Sequence, residues 1–164
     1  MDRVPLRANV CELVPAEIVS EWDLDEVSHS TENDLISVGR CAMAAGASSD
    51  VALDLRLTSY SGGDADSASR FAADDRTETC STLAATHAAN GTVVDGQSSC
   101  TVSFGGDGST STVTVFEVAE AYGVVRIELR APESEAELVE STVRDLTAAV
   151  EDGFVDSNAK TESA

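Results

Sequence analysis

Four cysteines, Cys11, Cys41, Cys80 and Cys100, and two histidines, His29 and His87, are the side chains of this sequence suited to redox, metal or acid–base chemistry near neutral pH. The cysteines are widely spaced and include no Cys-x-x-Cys, whereas a structural zinc site usually draws two of its ligands from within a few residues. Two disulfides are the expectation. Four cysteines allow three connectivities, and their spacing does not choose among them. Oxidised cysteines are not nucleophiles, so catalysis would have to come from elsewhere.

The other candidates give no recognisable constellation. His29 lies in an acidic stretch and His87 in an Ala-rich one, and neither sits in a catalytic signature. Asp64 and Asp66 beside Gly62-Gly63, and Asp107 within Gly105–Gly108, offer oxygens but lack the alternating acids, Gly and distal Glu of an EF-hand. They read as turns and helix caps. Neither glycine cluster has phosphate-loop spacing. Trp22, Tyr60, Phe71 and Tyr122 read as core or cleft-edge packing. No residue is assigned a catalytic, cofactor-binding or metal-binding role, and no cofactor is expected.

These residues must be positioned by one domain: 164 residues and 17.0 kDa leave little room for two. Hydrophobic residues reach 42% but aromatics only 4%, so the core must be built from Val, Leu, Ile and Ala. Thirty acids against ten bases give a formal charge of −20. That field repels phosphate backbones and anionic lipid, which argues against nucleic-acid partners and membrane-surface binding. No run approaches the roughly 20 apolar residues that span a bilayer, so direct membrane insertion of this domain is not expected. Nine arginines and a single lysine, Lys160, point to a GC-rich genome.

Along the chain, Pro15–Trp22 reads as a short helix with Ile18, Val19 and Trp22 on one stripe, and Asp23–Asp34 as a loop. Ile36–Met43 and Val51–Leu57 read as an antiparallel strand pair with one wet face, Ala52, Asp54 and Arg56 opposing the Val51–Leu57 row. Asp64 caps a helix to about Asp75 with Ala65, Ala68, Phe71 and Ala72 buried, and a second helix covers Glu78–Ala89. A meander follows: Cys100–Phe104, then Thr112–Glu120, whose apolar residues fall on both phases, then Val125, Ile127 and Leu129 alternating with Arg126, Glu128 and Arg130. The last helix opens on a capping box at Ser134–Glu137, runs through Ala136, Val139, Val143, Leu146 and Val150, and stops at Gly153. The expected domain is therefore 8–154, with 155–164 a disordered tail. The fold class is α+β, an antiparallel sheet with helices packed on it.

The run Cys11-Glu12-Leu13-Val14-Pro15-Ala16-Glu17-Ile18 resembles the opening of a family of actinobacterial cell-envelope lipoproteins of unknown function, with a second Cys in the next strand as Cys41 is here. The order of Cys80, Cys100, Val124–Leu129 and Ser134–Val150 resembles the extracellular sensor domain of mycobacterial PknH-type Ser/Thr kinases. Both groups are similar to small Mog1/PsbP-like proteins. The resemblance implies pairing of Cys11 with Cys41 and Cys80 with Cys100, export, and a binding or sensing role. The opening Met-Asp-Arg-Val-Pro carries no signal segment, so the sequence reads as a mature exported domain with a start Met added, extracellular or anchored on the outer side of the membrane. The expected function is a non-enzymatic domain binding a small ligand or an envelope protein. A secreted hydrolase with a carboxylate pair and an acidic inhibitor of a basic partner are the alternatives.

Overall fold

The computed structural model describes residues 6, 8–46, 48–60 and 63–163, with side chains left aside at 48, 49 and from 155 onward. After a 3-10 helix over Val10–Leu13 come α1 (Ala16–Trp22), β1 (Leu24–Asn33), β2 (Ser37–Ala45), β3 (Ser48–Ser59), α2 (Ala65–Thr86), β4 (Gly91–Asp95), β5 (Ser99–Gly106), β6 (Ser109–Val118), β7 (Gly123–Pro132) and α3 (Ala136–Ser163). The strands form one sheet in the order β1-β2-β3-β7-β6-β5-β4, with every neighbouring pair antiparallel. The expected α+β class is the observed one.

The two apolar phases of the central strands go to different layers. Leu53, Leu55 and Leu57 of β3, Phe116 and Val118 of β6, and Val125, Ile127 and Leu129 of β7 face α1 and α3. Val113 and Val115 of β6, Val124 of β7, and Cys100 and Val102 of β5 face α2 through Ala72, Cys80 and Leu83. The mixed phase of β6 is thus two-sided burial, and its register against β7 runs from Ser109 to Val118 without a shift. Cys100 and Val102 lie on the α2 face, and it is their hydroxyl-bearing neighbours Thr101 and Ser103 that look toward α3.

Several other elements differ from the sequence reading, each for a local reason. The expected loop Asp23–Asp34 is largely β1, an edge strand in which only Leu24 is buried; solvent on both sides removes the alternation that identifies a strand. The two helices expected between Asp64 and Ala89 are one, α2, because no Gly or Pro interrupts Asp75–Glu78. Asp64 caps it as expected, bonding the Ser67 N–H at 2.9 Å, and Ala68 and Ala72 are buried, but Phe71 is 56% exposed and Ala65 is exposed. The capping box at Ser134–Glu137 does not form: the chain enters α3 through a 3-10 turn, Glu133–Glu135, behind Pro132, which supplies no side-chain cap.

Gly153 does not end α3; the helix runs to Ser163, through the segment read as a tail. A glycine costs only about 1 kcal/mol in a helix, and burial of Phe154 one turn beyond Val150 extends the apolar stripe. Gly153 has a packing reason instead, since a Cβ there would meet Leu13 Cδ2 at 2.6 Å. Gly39 in β2 plays the same part from the sheet side, where a Cβ would meet Val10 Cγ1 at 2.6 Å. The 3-10 helix Val10–Leu13 is therefore wedged between sheet and α3.

α1 joins this layer through Trp22, whose buried indole N–H donates to Thr142 Oγ1 of α3 at 3.0 Å. Leu146, 1% exposed, lies at the centre of the α3 stripe, while Glu140 is exposed. Leu146→Ala should cost about 2–5 kcal/mol, and Glu140→Ala should fall within about 0.5 kcal/mol of the parent. Urea melts of the two variants check this; equal small effects would contradict the packing of α3.

Candidate functional site

The cysteines form two disulfides, Cys11–Cys41 and Cys80–Cys100, with Cα separations of 5.2 and 6.0 Å. The first ties the wedged 3-10 helix to β2. The second ties α2 to β5. With sequence separations of 30 and 20 residues, chain entropy assigns each about 3–4 kcal/mol. Their role is to hold a layer on each face of the sheet.

The two histidines stand at opposite ends of the strand order. His29 is on the edge strand β1, its Nδ1 3.0 Å from Glu26 Oε2. Hydrogen bonds from Asn9 and then His29 hold the Glu26 carboxyl below the ordinary carboxylate range. His87 closes α2 and stacks on Phe104 of β5 at 3.6 Å. Asp64 is occupied as a helix cap, and Asp107 occupies the two-residue turn between β5 and β6 with φ 55°. Ser61 and Gly62, part of the first glycine cluster, lie outside the described residues. Among the described residues no group of three or more His, Cys, Asp or Glu could hold a metal ion.

The polar chemistry concentrates on the α2 face of the sheet. α2 packs chiefly on β5, β6 and β7, and it reaches the end of β3, where Asp75 and Thr79 line a small cavity with Arg56 and Thr58 and Thr58 is buried. At its margin, the buried-side polar network runs from Tyr60, whose hydroxyl donates to Asp75 Oδ2 at 2.7 Å, to Thr79, which donates to Asp75 Oδ1 at 3.0 Å. One turn of helix away, Arg76 Nε meets Glu117 Oε1 of β6 at 2.7 Å.

Beyond that margin lies an open cavity of about 380 Å³ on the bare half of the face. Its floor is set by strand register. Arg40 of β2 is paired with Arg56 of β3, and Arg56 with Arg126 of β7, so three of the nine arginines stand side by side in one cross-strand row. Ser30 of β1 continues the row beyond Arg40. Arg126 Nη2 is 3.0 Å from Glu128 Oε1 on its own strand. Arg40 and Arg56 are exposed, and among the described residues neither has a carboxylate within ion-pair distance. Asp54, one row along, is the acid that lines the same cavity.

A second groove, about 460 Å³, runs between α3 and β4–β6. Two pairs of its hydroxyls bond each other, Thr101 with Thr114 at 3.0 Å and Ser103 with Thr112 at 3.2 Å, and Glu140 and Arg144 of α3 line it with charges of opposite sign, so no single charge gathers there. The arginine row is the stronger candidate.

Sequence reading placed Arg56, Asp54, Arg126 and Glu128 on the wet phase of their strands, but it could not align them with one another or with Arg40. The missing signal was register, which only pairing supplies. No protein-family model matches the chain, and no curated protein matches it in sequence.

Tyr60 provides a handle on the network beside the row. Burial first, then the hydrogen bond to Asp75, raises its phenol well above the ordinary value. Because the folded-state value is the higher one, the stability Tyr60 contributes is complete below about pH 10, where an unfolded tyrosine begins to ionise, and is lost as pH rises beyond it. Urea midpoints measured above pH 10 should fall more steeply for the parent than for Tyr60→Phe. Parallel slopes would contradict this assignment.

Proposed function

We propose that the protein is an exported, non-enzymatic binding domain of the cell envelope, a lipoprotein or sensor ectodomain, that meets its ligand or partner on the bare β1–β3 half of the sheet. The observation that carries this reading is the unequal cover of the sheet. α1 and α3 pack on one face, while on the other α2 packs chiefly over β5–β7 and leaves Arg40 and Arg56 exposed to solvent.

Export is supported by the two disulfides, which persist where the surroundings are oxidising. Among the described residues no helix is long and apolar enough to cross a membrane. A binding role fits a frame held by covalent links on both faces, because a rigid surface loses little conformational entropy when it engages a ligand. The large negative charge fits small or locally charged ligands better than polyanions.

The compartment is tested on protein taken from its native host. Rapid acid quenching followed by thiol alkylation and mass mapping should find no labelled cysteine and two linked peptides, Cys11 to Cys41 and Cys80 to Cys100. Four labelled cysteines in freshly quenched cells would contradict export.

A further inference from the structure

We infer that Arg40 and Arg56, with Arg126 beside them, form a binding site for a single oxyanion group, phosphoryl or carboxylate, on a small ligand. The inference deepens the proposed binding role and rests on the bare half-face being the contact surface.

Like charges directly opposite on neighbouring strands destabilise a sheet, and Arg40, Arg56 and Arg126 occupy three successive strands in one row. With 30 carboxylates in the chain against ten cationic side chains, an unpaired arginine is not a consequence of shortage. Three acids near the row are engaged, none of them by Arg40 or Arg56. Glu128 is paired with Arg126, Glu117 with Arg76, and Asp75 accepts from Tyr60 and Thr79. Asp54 lines the cavity without an ion pair to either Arg40 or Arg56.

Cross-strand partners hold their Cβ atoms about 5 Å apart, close enough for two guanidinium forks to donate to one tetrahedral or planar oxyanion. Arginine suits this better than lysine because its donors are fixed in a plane and its charge is weakly hydrated. Ser28 and Ser30 line the cavity from β1 and add hydroxyl donors beyond Arg40. Asp54 faces the same space as an acceptor, which suits a ligand that carries a hydroxyl or ammonium group beside its oxyanion. The overall charge of −20 does not forbid this, since at physiological salt it is screened beyond about 8 Å while the row acts at contact distance.

The test is a titration of the folded, ¹⁵N-labelled protein with sodium phosphate and, separately, sodium acetate, at ionic strength held constant with sodium chloride. The Nε–Hε signals of Arg40 and Arg56 should shift together and saturate in at least one of the two titrations. Saturation by phosphate alone assigns a phosphoryl group, and saturation by acetate alone assigns a carboxylate. Arg56→Gln and, independently, Arg40→Gln should each weaken that binding by about tenfold or more, the scale of a lost charge-assisted hydrogen bond. Arg70→Gln, an exposed position on α2, should leave it unchanged. Linear shifts in both titrations, or equal weakening by all three variants, would overturn the site. Failure here leaves the cysteine labelling untouched, and labelled thiols would contradict export without altering this binding result.

Discussion

Burial of β6 and β7 from both sides is the interaction on which the rest of the architecture depends. Along β6, Phe116 and Val118 pack toward α3 while Val113 and Val115 pack toward α2, and along β7 Val125, Ile127 and Leu129 oppose Val124. With few aromatics, the core draws its stability from this doubled aliphatic contact in the middle of the sheet rather than from large side chains. The outer strands then follow as extensions whose cover differs on the two faces. α3 and α1 close one face. α2 closes the other over β5–β7 and the Thr58 end of β3, while Arg40 of β2 and Arg56 of β3 stay exposed.

Each covering layer is held to the sheet by a covalent link and by close approach. On the α3 side, Cys11–Cys41 fixes the 3-10 helix Val10–Leu13 against β2, and Gly39 and Gly153 provide the space in which Val10 and Leu13 sit. On the α2 side, where the apolar cluster is smaller, Cys80–Cys100 does comparable work together with the Arg76–Glu117 pair. Two polar contacts each join a helix to another element, Trp22 to Thr142 within the core and Arg76 to Glu117 at its margin.

Half-buried and fully buried elements were legible in the sequence because burial leaves a periodic trace. The alternation in Val51–Leu57 and Val125–Leu129 marked β3 and β7, and the stripe from Ala136 to Val150 marked α3. Elements without a buried face left no such trace. β1 exposes nearly every side chain on both sides, and β4 spans only Gly91–Asp95 at the other edge, so neither was recognised. At Gly153 the residue type pointed to a helix end, whereas its actual cause, the nearness of Leu13, is tertiary. The arginine row failed for a related reason. Arg40, Arg56 and Arg126 are each ordinary outward-facing residues, and only the pairing of three strands distant in sequence makes them neighbours.

Binding on this surface depends on one physical condition: among the described residues Arg40 and Arg56 are exposed with no carboxylate in ion-pair distance, while Arg76 and Arg126 are held by carboxylates. Limited modification of the folded protein with an arginine-selective dicarbonyl reagent, followed by peptide mass mapping, measures this directly. The account predicts that Arg40 and Arg56 are modified well before Arg76 and Arg126. Reaction of Arg40 and Arg56 no faster than that of Arg76 and Arg126 would contradict it, because the half-face would then be covered or its charges already satisfied.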